Sequence, residues 1–156
     1  MPRSTPTPLY VVGLESVYGA PSRAGLGSAV FYEPALPAAD LERVAQEKYR
    51  YFVGALWERL GKEAWLSAWR PIYSRAGRRR DIVAELQTIT DRDARLSVPL
   101  ILRTAQARQA LANAYNHETV AQLAVYKLSD GAALSGLLIA GRRDSGEAVF
   151  LVFLLD

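Results

Sequence analysis

The stretch ETVAQLAVYKLSDGAALSGLLIAGRRDSGEAVFLVFLLD, residues 118–156, decides how this chain is read. It divides into three β-rich runs: 118–128, 132–140 and 147–156. Asp130-Gly131 separates the first two and is a strong hairpin signal, because Gly accepts the positive φ that a tight turn demands. The segment Gly141 to Gly146 separates the last two. Three consecutive runs rich in Val, Leu, Ile and aromatic residues, joined this way, predict an antiparallel meander. The last run, AVFLVFLL, is apolar at every position from Ala148 to Leu155. A strand of that kind needs cover on both faces, from a central place in the sheet or from a dimer interface.

Working back from the meander, 105–115 predicts a short helix capped by Thr104 and closed by Asn116. The runs 81–90 and 94–102 both alternate. Ile82, Ala84, Leu86 and Thr88 share one side of the first, and Leu96, Val98, Leu100 and Leu102 share one side of the second. They predict two strands turned at Asp91-Arg92-Asp93, the second at an edge because Pro99 lacks an amide hydrogen. Residues 40–60 hold apolar side chains at 3.6-residue spacing (Leu41, Val44, Ala45, Phe52, Leu56, Leu60) behind the candidate cap Asp40. They predict a helix ended by Gly61. A second helix, 62–70, stops before Pro71 and places Trp65 and Trp69 on one face. At the start, 9–18 and 28–34 are rich in β-branched and aromatic residues and predict strands, joined by the Gly- and Pro-containing loop 19–27.

The expected fold is therefore α+β, in the order ββ-αα-ββ-α-βββ. An antiparallel or mixed sheet carries helices packed on one side and ends in the meander. At 156 residues one domain is expected, 9–156, behind an extended arm, 1–8, that contains Pro2, Pro6 and Pro8.

The absence of cysteine excludes disulfides, zinc–thiolate sites and thiol catalysis, and it suits a reducing compartment. The first ten residues hold three prolines and no apolar core of the kind a secretion signal carries. The eight-residue run 148–155 is far short of the ~20 residues that a membrane helix needs. A cytoplasmic protein without membrane contact is the expectation.

Charge is unevenly placed. Residues 1–69 hold seven basic and seven acidic side chains, whereas 70–108 hold nine arginines against four acids, and 109–156 hold three basic against five acidic residues. All of the +3 excess thus lies in the middle quarter of the chain, a pattern that points to a polyanion or an acidic partner. The candidate contacts are Arg70, Arg75, Arg78, Arg79, Arg80, Arg92 and Arg95. Tyr51, Trp65, Trp69 and Tyr73 lie close by in sequence as possible stacking or partner-contact groups.

Catalytic motifs are missing. His117 is the only histidine, no G-x-S-x-G or GK[ST] occurs, and Asp91 and Asp93 lack the residues that would complete a calcium loop. No cofactor and no metal is expected. The sequence thus reads as a non-enzymatic binding module presenting a basic, aromatic-flanked surface to nucleic acid or another polyanion. One alternative is a protein-interaction or dimerisation module of the accessory, inhibitor or immunity type. It would use the apolar C-terminal strand and the Trp-bearing helix, with a second copy as one partner, while an acidic protein is the alternative partner for the arginine cluster. The other is a small ligand-binding protein or enzyme with a pocket under the 19–27 loop, where Tyr10, Glu15, Tyr18 and Tyr32 would supply polar groups.

Overall fold

A computed structural model describes residues 6–77 and 80–155. The C-terminal meander forms as expected: β3 (Val120–Ser129), β4 (Ser135–Arg143) and β5 (Ala148–Leu155) pair antiparallel in sequence order. β1 (Gly27–Glu33) adds to the free side of β5, from Gly27 opposite Leu154 to Glu33 opposite Ala148. β2 (Pro71–Ser74) adds to β3, so the fully antiparallel sheet runs β1-β5-β4-β3-β2. β5 is interior, and its apolar run is buried within one chain, Ala148 through Leu154. It is therefore not an exposed dimer surface.

Alternate side chains of β5 enter different cores. Val149, Leu151 and Phe153 belong to one, and Ala148, Phe150, Val152 and Leu154 to the other. Each face consequently has its own helical layer, which corrects the expectation of helices on one side. The first face is covered by α1 (Leu9–Tyr18), α5 (Ile82–Gln87), α6 (Ala94–Ile101) and α7 (Ala105–Tyr115). The second is covered by α2 (Leu41–Val53), α3 (Ala55–Leu60) and α4 (Lys62–Leu66). Gly54, at φ +67°, separates α2 from α3 and splits the single helix expected over 40–60. Of the expected 1–8 arm, only Pro6, Thr7 and Pro8 fall among the described residues.

Three expected strands are helices, and the order becomes α-β-ααα-β-ααα-βββ, with a 3-10 turn at Ala38–Asp40 before α2. In α1, the buried Val11, Leu14 and Tyr18 sit at i, i+3 and i+7. In α5, the buried Ile82, Glu85 and Leu86 sit at i, i+3 and i+4. In α6, Ala94, Ser97, Val98 and Ile101 sit at i, i+3, i+4 and i+7. Local capping favours the helical outcome. Asp81 accepts the Ala84 amide and the Glu85 carboxylate accepts the Asp81 amide, so both ends of this first turn are satisfied. Asp91, expected in a hairpin turn, instead accepts the amides of Asp93 and Ala94 and starts α6. Pro99 lies inside α6 rather than on an edge strand, and the edge proline is Pro71 in β2.

Packing is close where α7 meets the sheet. Tyr115 is fully buried and donates its hydroxyl to the carbonyls of Ile139 and Val149. Its ring lies over Gly141, where a Cβ would come within 2.7 Å of a ring carbon. Gly141→Ala should therefore displace the ring and destabilise the fold by about 1–3 kcal/mol, as overpacking does. Urea denaturation measures this. An unchanged midpoint would mean that the ring has room to move.

Candidate interaction surface

The arginine run does not form one surface. Arg75 follows β2 directly and points into the protein, where its side chain is 5% exposed. Its guanidinium binds both carboxylate oxygens of Glu85 (2.6–3.2 Å) and the Tyr115 carbonyl at 2.8 Å. Tyr73 donates to the same carboxylate at 2.6 Å. Arg70 is exposed and paired with the buried Asp91 at 2.8 Å, and Lys127 meets that carboxylate at 3.1 Å. Arg80 is half-buried against the Val120 carbonyl. Arg92 and Arg95 are exposed, while Arg78 and Arg79 lie outside the described residues.

Tyr73 stays beside Arg75 through the shared Glu85 carboxylate, whereas Tyr51, Trp65 and Trp69 belong to the other side of the sheet. Trp65 is buried in the second core. Trp69 stacks on Tyr126 at 4.6 Å, packs beside Tyr49, and donates its indole N–H to Glu42. Tyr51 is half-exposed on α2 beneath the Arg23 guanidinium. Tyr73 packs against the first core, on the opposite face of the sheet from the Trp cluster. Sequence neighbours from Tyr51 to Arg75 are thus divided between two layers by the sheet.

The tyrosines named around the 19–27 loop come together only in part. Tyr10 and Tyr32 both donate to Glu147 Oε1, at 3.2 and 3.1 Å, and the Arg143 guanidinium lies 3.7 Å from the centre of the Tyr10 ring. Ser145 donates to the other carboxylate oxygen. Burial, followed by the Glu147 charge, pushes the Tyr32 hydroxyl up to about 12, and burial raises Tyr10 further. Both phenols are therefore protonated donors at neutral pH, and the cluster ties α1 and β1 to the β4–β5 connection. Tyr18 instead donates to the Ile101 carbonyl, and the Glu15 backbone carbonyl accepts the Gly19 amide. A cleft of about 410 Å³ does lie beside the loop, lined by Pro21, Phe31, Tyr32, Glu47, Lys48 and Tyr51, with Lys48 ion-paired to Glu33. Among the described residues no three His, Asp or Glu side chains gather to hold a metal, and no helix is long and apolar enough to cross a membrane.

α1 exposes Leu9 and Val12, and a second surface of this kind, bordered by arginines, is the outer side of α6. Burying Ala94, Ser97, Val98 and Ile101 turns Arg95, Leu96, Pro99 and Leu100 outward. Leu96 is 71% exposed and Leu100, one turn on, is 47% exposed. Arg103 is exposed just beyond the helix. A groove of about 220 Å³ runs along the same helix, lined by Leu86, Gln87 and Ile89 from α5 and its approach to α6, and by Arg95, Val98 and Pro99 from α6. The alternating pattern sets Leu96 and Leu100 on one side with Val98, which is buried. The signal for their exposure was the i, i+3, i+4, i+7 spacing of the buried set, which the alternating pattern obscured. The chain matches no family model, and no curated protein and no solved structure matches it.

Two measurements test the internal role of Arg75. Removing one partner from a buried ion pair leaves the other charge without compensation, so Arg75→Ala should cost about 3–5 kcal/mol in urea denaturation. Arg95→Ala, at an exposed position, should change stability by no more than about 0.5 kcal/mol. Equal small effects would return Arg75 to the surface.

Acid sensitivity follows from the same groups. Burial raises the Glu85 carboxyl, but hydrogen bonds from Arg75 and Tyr73, the Arg75 charge and the Asp81 amide outweigh it and hold the group below its ordinary range. Burial likewise raises Asp91, and the Ala94 amide, Lys127 and Arg70 reverse the effect. Both groups bind protons less readily folded than unfolded, so their contribution is complete above the unfolded values near 4 and is lost as pH falls through the folded ones. Urea midpoints should stay level from about pH 7 to about pH 5 and then drop. Glu85→Gln should start lower and drop less steeply, and an acid limb identical to that of the parent protein would contradict this assignment.

Proposed function

We propose that the protein is a non-enzymatic binding module that contacts a partner protein through the outer face of α6. The observation that carries this reading is the pair Leu96 and Leu100, exposed one turn apart and bordered by Arg95, Arg103 and the α5–α6 groove. Scattered exposed apolar side chains are ordinary, but two of them one turn apart, on a helix that also lines a groove, give that helix an apolar outer side. Covering each leucine would contribute up to about 1.5–3 kcal/mol, enough for two to anchor a complex. The module keeps the character expected from the sequence. Its contact face shifts from the arginine run and the C-terminal strand to a helix, because Arg75 and Trp65 are internal and β5 is covered. A protein partner is favoured over nucleic acid because leucines occupy the middle of the patch, where a phosphate backbone would be served by cations.

Selection from a displayed peptide library on the immobilised full chain tests the reading. Enriched peptides should lose binding to a Leu96→Ser/Leu100→Ser variant and retain it to Leu60→Ser, which alters an exposed leucine on α3. Peptides that bind all three proteins equally, or a failure to enrich any, would refute an α6 contact. Oligonucleotides whose salt-dependent binding survives the double substitution would point to the polyanion surface instead.

A further inference from the structure

Resting on that reading, we infer that the occupant of the α6 face is an acidic amphipathic helix of two to three turns. Charge is the first ground. From Ala94 to His117 the chain contains Arg95, Arg103 and Arg108 and no Asp or Glu. All three arginines are exposed, and Arg108 is held beside the C-terminal end of α6 by its bond to the Leu102 carbonyl. Arg92 is exposed at the other end. The acids that precede α6 in sequence are ion-paired, Asp91 with Arg70 and Lys127, Asp93 with Lys127, and Glu85 with Arg75, and of these Asp93 keeps half of its side chain exposed. The leucine pair is thus framed by cations, and a complementary surface has aliphatic side chains framed by carboxylates.

The same charges argue against a second copy of the chain. A twofold contact would bring identical patches together and set Arg95 and Arg103 of one copy against those of the other without acids between them.

Shape is the second ground. α6 has eight residues, about 12 Å of helix, so a partner longer than a few turns would extend past it. Leu96 and Leu100 are spaced by one turn, which matches anchors at i and i+3 or i+4 on a facing helix. The α5–α6 groove alongside, with Leu86, Ile89, Val98 and Pro99 in its lining, accepts an aliphatic side chain, while Arg95 at its border meets a carboxylate. A lipid surface would leave this concavity unfilled, and two leucines are few for interfacial insertion.

The probe is a synthetic acidic helix of about 11 residues with leucines along one face and glutamates flanking them, added to the protein and followed by amide and methyl NMR shifts. A twin carries lysine at every glutamate, and anionic phosphatidylserine vesicles form the third arm. The acidic peptide should perturb Leu96 and Leu100. It should bind at least about tenfold more weakly to Leu96→Ser/Leu100→Ser, and weaken severalfold between about 50 and about 300 mM salt. The lysine twin should bind at least about tenfold more weakly than the acidic peptide. If the twin perturbs the same leucines with equal affinity, the acidic partner is wrong and the α6 contact stands. If neither peptide perturbs α6, the inference fails, and the library selection decides the contact reading independently. Vesicle binding that the double substitution abolishes, without peptide binding, would assign the face to lipid and overturn the inference.

Discussion

Because β5 lies between β1 and β4 and is apolar on both sides, the chain has to supply a helical layer to each face of the sheet. Most of the remaining architecture follows from that requirement. A strand exposed on one face could have left the 9–18 and 81–102 segments free to extend the sheet. With two faces to cover, these segments are worth more as helices, since each fully buried aliphatic side chain contributes about 1.5–3 kcal/mol. The sheet stays at five strands with short or capped edges. β2 is four residues long and begins with Pro71, and the Gly19 carbonyl accepts the Val30 amide on the outer side of β1. Both are devices that discourage pairing with another chain.

The meander, β1, α7 and the helical region 41–66 were legible in the sequence, because each carries a local signal that agrees with its final surroundings. Asp130-Gly131 specifies a turn, Thr104 accepts the Ala107 amide, and the apolar stripe of α2 has the helical period. The segments 9–18, 81–90 and 94–102 were not legible, for a shared reason. Each is short, apolar and rich in residues that suit a strand, and an alternating set and a helical set can be drawn through the same letters. In 94–102, Val98 belongs to both sets, and the choice turns on whether Ile101 or Leu100 is inside. Only tertiary burial settles that, although Asp81 and Asp91 were available as capping signals.

Charge in the sequence was a still weaker guide. Arg75 reads as one member of a basic run, yet the group that fixes its position is Glu85, ten residues later and on a different element. Arg70 reads the same way and is joined to Asp91. Like-charge runs describe composition along the chain, whereas an ion pair is a statement about two side chains brought together by the fold. The β2 turn into α5 makes the first of these pairs, and the start of α6 makes the second.

The exposed leucines of α6 come from the same ambiguity between strand and helix. In an alternating strand Leu96 and Leu100 would have entered the core with Val98, and Arg95 would have faced solvent with Pro99 and Ile101. As a helix the segment buries Ile101 and turns Leu96 and Leu100 outward beside Arg95. Pro99 is exposed on this side as well, and it has no amide to donate to the Arg95 carbonyl. A helix that served only to cover the sheet would have no physical use for two exposed leucines at that spacing. Polar residues at 96 and 100 would leave the core contacts of Val98 and Ile101 intact and reduce the apolar surface open to aggregation. The two positions thus carry an apolar surface that the fold does not use.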